Sequence, residues 1–117
     1  MRALREVIDG AAIERARRLP PAVVEAMVAE GVFKICVPKR YGGAQASPAV
    51  AVAMFEELAQ LDGSVGWCAM IGVTSSFMSV YLDEAIAREV YTPPDAITCA
   101  VFAPMGRATR EGDRYRG

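Results

Sequence analysis

From Gly63 to Leu82 the chain runs for twenty residues without a charge, GSVGWCAMIGVTSSFMSVYL. No other stretch restricts the fold as strongly, because so long an apolar segment has to be covered by lipid or by protein. As a helix it is long enough to span a bilayer, which takes roughly 20 apolar residues. Three glycines and five Ser/Thr residues dilute it, however, and its flanks are Asp62 on one side and Asp83-Glu84 on the other. No Lys or Arg stands beside it to anchor a span at the headgroups. The run is read as a helix apolar on nearly all sides that forms the buried centre of a larger protein, and no membrane partner is expected.

The remaining pattern predicts a helical domain around it. Leu4, Val7, Ile8, Ala11, Ala12 and Leu19 predict one amphipathic helix over 2–19, stopped by Pro20-Pro21. A second helix starts at Pro21, carries Val24, Met27 and Val28 inward, and ends at Gly31. The β-branched and aromatic run Val32–Val37 predicts a short extended segment, closed by Pro38 and a Gly42-Gly43 turn. Ser47-Pro48 then reads as an N-cap with Pro at the first helical position. The stripe Val50, Ala51, Met54, Phe55, Leu58 follows, with Glu56, Glu57 and Gln60 outward. Asp83 caps a short helix to Tyr91, ended by Thr92-Pro93-Pro94. After it, residues 97–102 read as a strand and 109–115 as a hairpin turning at Glu111-Gly112-Asp113.

Several chemistries are excluded outright. The chain has no histidine, which removes His-based nucleophilic and proton-transfer catalysis and nearly all zinc patterns, so no metal site is expected. Thirteen basic against fourteen acidic residues give a net charge of −1 and no field to attract nucleic acid. Arg107, Arg110, Arg114 and Arg116 are read as a solvated hairpin face. Cys36, Cys68 and Cys99 form no CxxC pair and are expected to be buried, reduced thiols of a cytoplasmic protein. Glu56 and Glu57 point about 100° apart on a helix and make no carboxylate pair. The basic turn in KICVPKRYGG (Lys34–Gly43) has neither the glycine spacing nor the following Ser/Thr of a phosphate loop.

The ordered motifs LPPAVVEAMVAEGVFKICVPKRYGG (19–43), SPAVAVAMFEELAQLDGSVGWCAMI (47–71) and CAVFAPMGRA (99–108) resemble the N-terminal part of acyl-CoA dehydrogenases. In that family a helix ending in Gly leads into a VPxxYGG loop, EELA precedes D-x-S, and a middle β-domain then begins. The resemblance implies a mainly α fold of the up-down acyl-CoA dehydrogenase type over 1–95, with the first strands of an incomplete β-domain over 96–117. It implies a truncated member, because family proteins continue through a β-domain and a C-terminal helical bundle. The family's T-E-P-x-x-G-S-D element is replaced by Phe-Ala-Pro-Met-Gly-Arg-Ala at 102–108, which with Trp67-Cys68 looks more like the flavin-dependent hydroxylase branch.

What this implies for chemistry is a flavin, FAD or FMN, in the full-length context, with an acyl thioester or an aromatic compound as substrate. The domain would form one wall of the flavin and substrate pocket of a homo-oligomer. In dehydrogenation the step is α-proton abstraction with hydride transfer to the flavin; in hydroxylation it is oxygen activation on reduced flavin. No catalytic residue is expected within this chain, and by resemblance Trp67, Phe102, Ala103 and Ala108 are the positions that would face the cofactor. Plainer roles stand beside three of them: Trp67 as a core side chain, Phe102 and Ala103 as an ordinary strand end. Thr74, Ser75, Ser76 and Ser79 are expected to bond back to helix carbonyls rather than to a ligand. A second function class stays open, a non-catalytic helical module that self-associates or binds a partner through its apolar surface.

Overall fold

A computed structural model describes residues 2–101, 103 and 105–117, the side chain of Arg2 excepted. Six helices precede one small hairpin: α1 Arg2–Val7, α2 Gly10–Ala16, α3 Pro21–Ala29, α4 Pro48–Leu61, α5 Gly63–Ser75 and α6 Glu84–Tyr91, then β1 Thr109–Glu111 and β2 Arg114–Arg116. The fold is mainly α, as the sequence predicts.

The expected first helix is two. Asp9 leaves the helical region at φ −118°, and its carboxylate accepts the Ala12 amide, starting α2 afresh. Arg17 then ends α2 in the left-handed region at φ 53°, an uncommon place for a non-glycine residue. Pro21 opens α3, and Gly31 follows that helix at φ +72°.

The extended segment expected at Val32–Val37 is absent. Two short 3₁₀ turns, Val32–Lys34 and Lys39–Tyr41, take its place. The Lys34 and Ile35 amides bond locally to Gly31 and Val32, while the carbonyls of Lys34, Ile35 and Val37 accept the amides of Ala44, Ala46 and Gln45. A compact loop thus satisfies the backbone groups that a strand would have needed a neighbour to satisfy. Gly43 closes it: a Cβ there would lie 2.0 Å from the Val37 carbonyl oxygen. Val37 and Tyr41 are buried against Ala87 and Tyr91 of α6, with the Arg40 and Arg88 guanidiniums 4.9 and 5.8 Å from the Tyr41 ring centre. The partly buried Lys34 ammonium donates to the carbonyl of Tyr91 and so caps the last turn of α6.

The main packing unit is α4 against α5. Ser47 stands at the N-cap of α4 with Pro48 next, as expected, but its side chain makes no capping bond. Ala51 and Leu58 are buried and Met54 and Phe55 half-buried, while Val50 is exposed, against its predicted place in the stripe. Asp62 starts α5 by accepting the Ser64 and Val65 amides. The principal core joins Leu4, Ile13, Val23, Met27, Val32, Phe33, Leu58, Val65 and Ala69, drawing on every helix from α1 to α5.

The uncharged run divides its surface. Through α5 and the 3₁₀ turn Ser76–Val80 it is a continuous helical stretch over 63–80, long and apolar enough to cross a membrane by length and composition alone. Within this chain 44% of that window lies inside the fold. Val65, Ala69, Gly72, Val73 and Ser76 form the inward stripe at i, i+4, i+7, i+8 and i+11. Trp67, Phe77, Met78, Val80 and Tyr81 are exposed. The hydroxyls behave as expected at Thr74, Ser75 and Ser76, which donate to carbonyls three or four residues back. Buried Ser79 finds no such acceptor among the described residues.

Asp83 accepts the Ala85 amide and caps α6, as predicted. Residues 97–101 form no strand, because no described segment lies alongside to complete a ladder. The hairpin does form: Glu111 faces Arg114 across Gly112-Asp113, with Gly112 at φ +64°. Both of its strands are exposed throughout, and Arg116 reaches Glu111 at 3.7 Å.

Candidate functional site

An open apolar groove of about 430 Å³ lies where α3, α5 and the segment 97–99 come together. Its floor follows from one missing side chain. Gly72 is buried, and a Cβ there would sit 2.6 Å from Phe33 Cδ1 and 2.8 Å from Cε1, so glycine lets the Phe33 ring approach α5 closely. The same helix turn faces the carbonyl of Thr98, 3.7 Å from that Cβ position, which places the segment 97–99 along the groove's far side.

One wall is the outward face of α5, where Trp67 and Ile71 stand four residues apart with Cys68 beside them. Opposite are Leu19 and Val24, and Ile97 and Cys99 complete the lining. Arg18 is the sole charged side chain among the lining residues. The Trp67 ring is 64% exposed. A ring of that size left open to solvent beside other apolar groups forms a surface on which a flat, weakly polar molecule can stack.

Of the four positions singled out in sequence, Trp67 lines the groove. Phe102 lies outside the described residues. Ala103 and Ala108 are exposed and do not line it, so among described residues the structure does not gather the set. What sequence reasoning missed is Arg18, Cys68 and the stretch Ile97–Cys99. A readable signal existed for Cys68: it follows Trp67 and precedes Ile71 on one helix face, opposite the small residues Gly66 and Ala69. Nothing local marked Arg18, one of several arginines on an exposed helix end.

The thiols depart from expectation as well. Cys68 and Cys99 are exposed in the groove and only Cys36 is partly buried. Although solvent reaches Cys68, desolvation of its sulfur by the surrounding groove wall pushes the thiol above its ordinary pKa, and the nearby Asp62 carboxylate adds to that by disfavouring a thiolate. Burial raises Cys36 in the same direction. Neither is an activated nucleophile at neutral pH. Among the described residues no group of three or more Cys, Asp or Glu side chains is placed to hold a metal.

The residues fit a planar ring system better than a polyanion. Apolar and aromatic side chains bound the groove, and a single guanidinium is too little to cradle a diphosphate. The lining therefore suits a flat, weakly polar ring, and the described residues include no phosphate cradle.

The sequence profile of the acyl-CoA dehydrogenase N-terminal domain matches residues 2–89. Among curated proteins, the chain is 35% identical over 93 residues to an indole-3-acetate monooxygenase of Pseudomonas putida, covering 79% of this chain and 24% of that protein. It is 33% identical over 105 residues to the oxygenase subunit HsaA of a flavin-dependent monooxygenase of Mycobacterium tuberculosis, covering 88% and 27%. A third relative is the oxygenase component of an FADH(2)-dependent resorcinol hydroxylase of a Rhizobium species, 31% identical over 104 residues, covering 88% and 25%. The chain thus spans about a quarter of the length of these relatives. No solved structure matches it at a significant level.

Proposed function

Because the chain belongs to the acyl-CoA dehydrogenase family through its N-terminal domain, we propose that it serves as one wall of a flavin-dependent monooxygenase site. The observation that carries this reading is the exposed Trp67 ring in an apolar groove, on a domain whose relatives are named as flavin-dependent hydroxylating enzymes. The substrate would be aromatic rather than an acyl thioester, in keeping with the indole and resorcinol substrates in those relatives' names.

Trp67 and Ile71 would hold a flat ring, Phe33 would set the depth at which it rests, and the segment 97–99 would keep water from one edge. Reduced flavin, FAD or FMN, supplies the two electrons with which one atom of O₂ becomes water while the other enters an aromatic C–H bond. This chain's contribution is binding and orientation. Acids, bases and the phosphate-holding groups would come from other parts of a longer cytoplasmic homo-oligomer, to which residues 96–117 would contribute the first strands of a β-domain.

Titration of the purified chain with FAD and with FMN tests this, followed by calorimetry and by emission of its one tryptophan, Trp67. Saturable binding that weakens in W67A supports the reading. Absence of binding by either flavin up to high micromolar concentration refutes it for this chain.

A second reading rests on a separate observation. Phe77, Met78, Val80, Tyr81 and Leu82, with Ile86 and Val90 of α6, leave an exposed apolar band beyond the groove. Soluble monomers rarely present so much contiguous apolar surface. A non-catalytic module that self-associates through this band would sediment as a dimer or larger species at micromolar concentration, with Tyr81→Glu shifting it to monomer.

A further inference from the structure

We propose that the groove selects planar aromatic ligands that carry an anionic substituent, with Arg18 as the specificity-determining residue. The inference deepens the reading of the groove as a site for aromatic molecules and rests on it.

Arg18 is the one charge on an otherwise apolar lining, and it makes no ion pair with any other described residue. Its position is built in. Arg17, held in the left-handed region at φ 53°, ends α2 and turns the chain so that Arg18 and Leu19 follow directly along the groove. A bulky residue seldom takes that conformation without a local reason. Other charges near the mouth are few: Glu14 and Arg17 border the adjoining hollow with Arg18, and the Asp62 carboxylate acts on Cys68 of the shared wall, leaving Arg18 the one charge on the groove lining itself.

The chemistry selects the occupant. Trp67 and Ile71 offer an apolar surface on which a flat ring can stack. A guanidinium fork at the edge matches a planar carboxylate in shape and charge, and an ammonium would be repelled by it. A ligand with a ring and a short carboxylate arm satisfies both features at once. A neutral ring satisfies only the first.

The test uses three probes sharing one ring, phenylacetate, the isosteric neutral phenylacetamide, and phenethylamine, titrated into the 117-residue chain with Trp67 emission as the readout. Phenylacetate is expected to bind about 1.5-fold to fivefold more tightly than phenylacetamide, the range a solvated charge pair supplies. Phenethylamine should bind weakest. In R18Q the preference for the carboxylate should disappear while phenylacetamide affinity stays, and in R18E the order of the charged probes should invert. Unchanged far-UV circular dichroism verifies that each variant folds. Equal affinity for the three probes in the native chain, or a carboxylate preference that survives in R18Q, overturns the role of Arg18 while leaving flavin binding and the groove intact. Failure of all three probes to perturb Trp67 overturns the proposal together with the aromatic-site reading, whereas the flavin titration reports on the cofactor alone.

Discussion

Gly66→Ala isolates the contact that holds the domain together. Gly66 is buried where α5 crosses α4, and a Cβ built on it would lie 2.7 Å from Ala59 Cβ, 2.8 Å from Ala59 Cα and 2.9 Å from the Ala59 nitrogen. Carbon atoms in contact rest at about 3.5–4.0 Å, so the two helices would have to part by about 0.8 Å. The obstructing atoms are the Ala59 backbone and the Cβ fixed to it, which cannot swing aside as a side-chain tip can. Overpacking of this kind costs about 1–3 kcal/mol. Against it, Ala is better than Gly in a helix by about 1 kcal/mol. A net loss of about 1 kcal/mol or more is expected, lowering Tm by about 4–8 °C for each kcal/mol in a domain this small. Gly63→Ala is the control, because no atom lies within 4 Å of the Cβ it would add. Thermal melts by circular dichroism should therefore show G66A well below G63A. A G66A melt equal to or above the native one would refute the close crossing of α4 and α5, and with it the placement of Trp67 on the outer face.

Two further outcomes concern Lys34 and Cys68. Lys34→Met removes the ammonium that donates to the Tyr91 carbonyl, and is expected to cost about 1 kcal/mol while hydrogen exchange over Glu84–Tyr91 quickens more than over α5. For Cys68, burial first and Asp62 second raise the thiol pKa, so the thiolate is scarcer at any given pH and the alkylation rate should climb at a higher pH than for a free thiol. Asp62→Asn keeps a good capping residue at the start of α5 but removes the charge, and should move that profile back toward lower pH. A profile that does not move would assign the whole shift to burial.

How far the sequence could be read depended on whether a signal was local. Helix starts at Pro21, Pro48 and Glu84 were legible because prolines and capping aspartates act through their own backbone neighbourhood. The hairpin turn was legible for the same reason: Gly112 supplies the positive φ it needs. The segment Val32–Val37 was misread because β-branched composition reports what fits a sheet, and whether a sheet is there to join is a non-local fact. Here the loop 43–46 returned instead and took those carbonyls. The break at Ile8-Asp9 was hidden because apolar spacing continues across it, although Asp9 itself was the kind of residue that starts a helix.

The uncharged helix shows a deeper limit of pattern reading. Amphipathic periodicity marks a helix when water covers one face, and the contrast vanishes when both faces are apolar for different reasons. On α5 the inward face is small, with Gly66, Ala69 and Gly72 allowing α4 and Phe33 to approach closely. The outward face is large, with Trp67 and Ile71 left available in the groove. Hydropathy treats the two alike, whereas side-chain volume separates them, alternating from small to large with the helical period. A helix that is apolar all round but sorted by size has two packing jobs, one against its own fold and one against something else. On the proposed reading that sorting, more than the absence of charge, is what gives the run from Gly63 to Leu82 a surface for a ligand, with Trp67 exposed on the side turned away from the core.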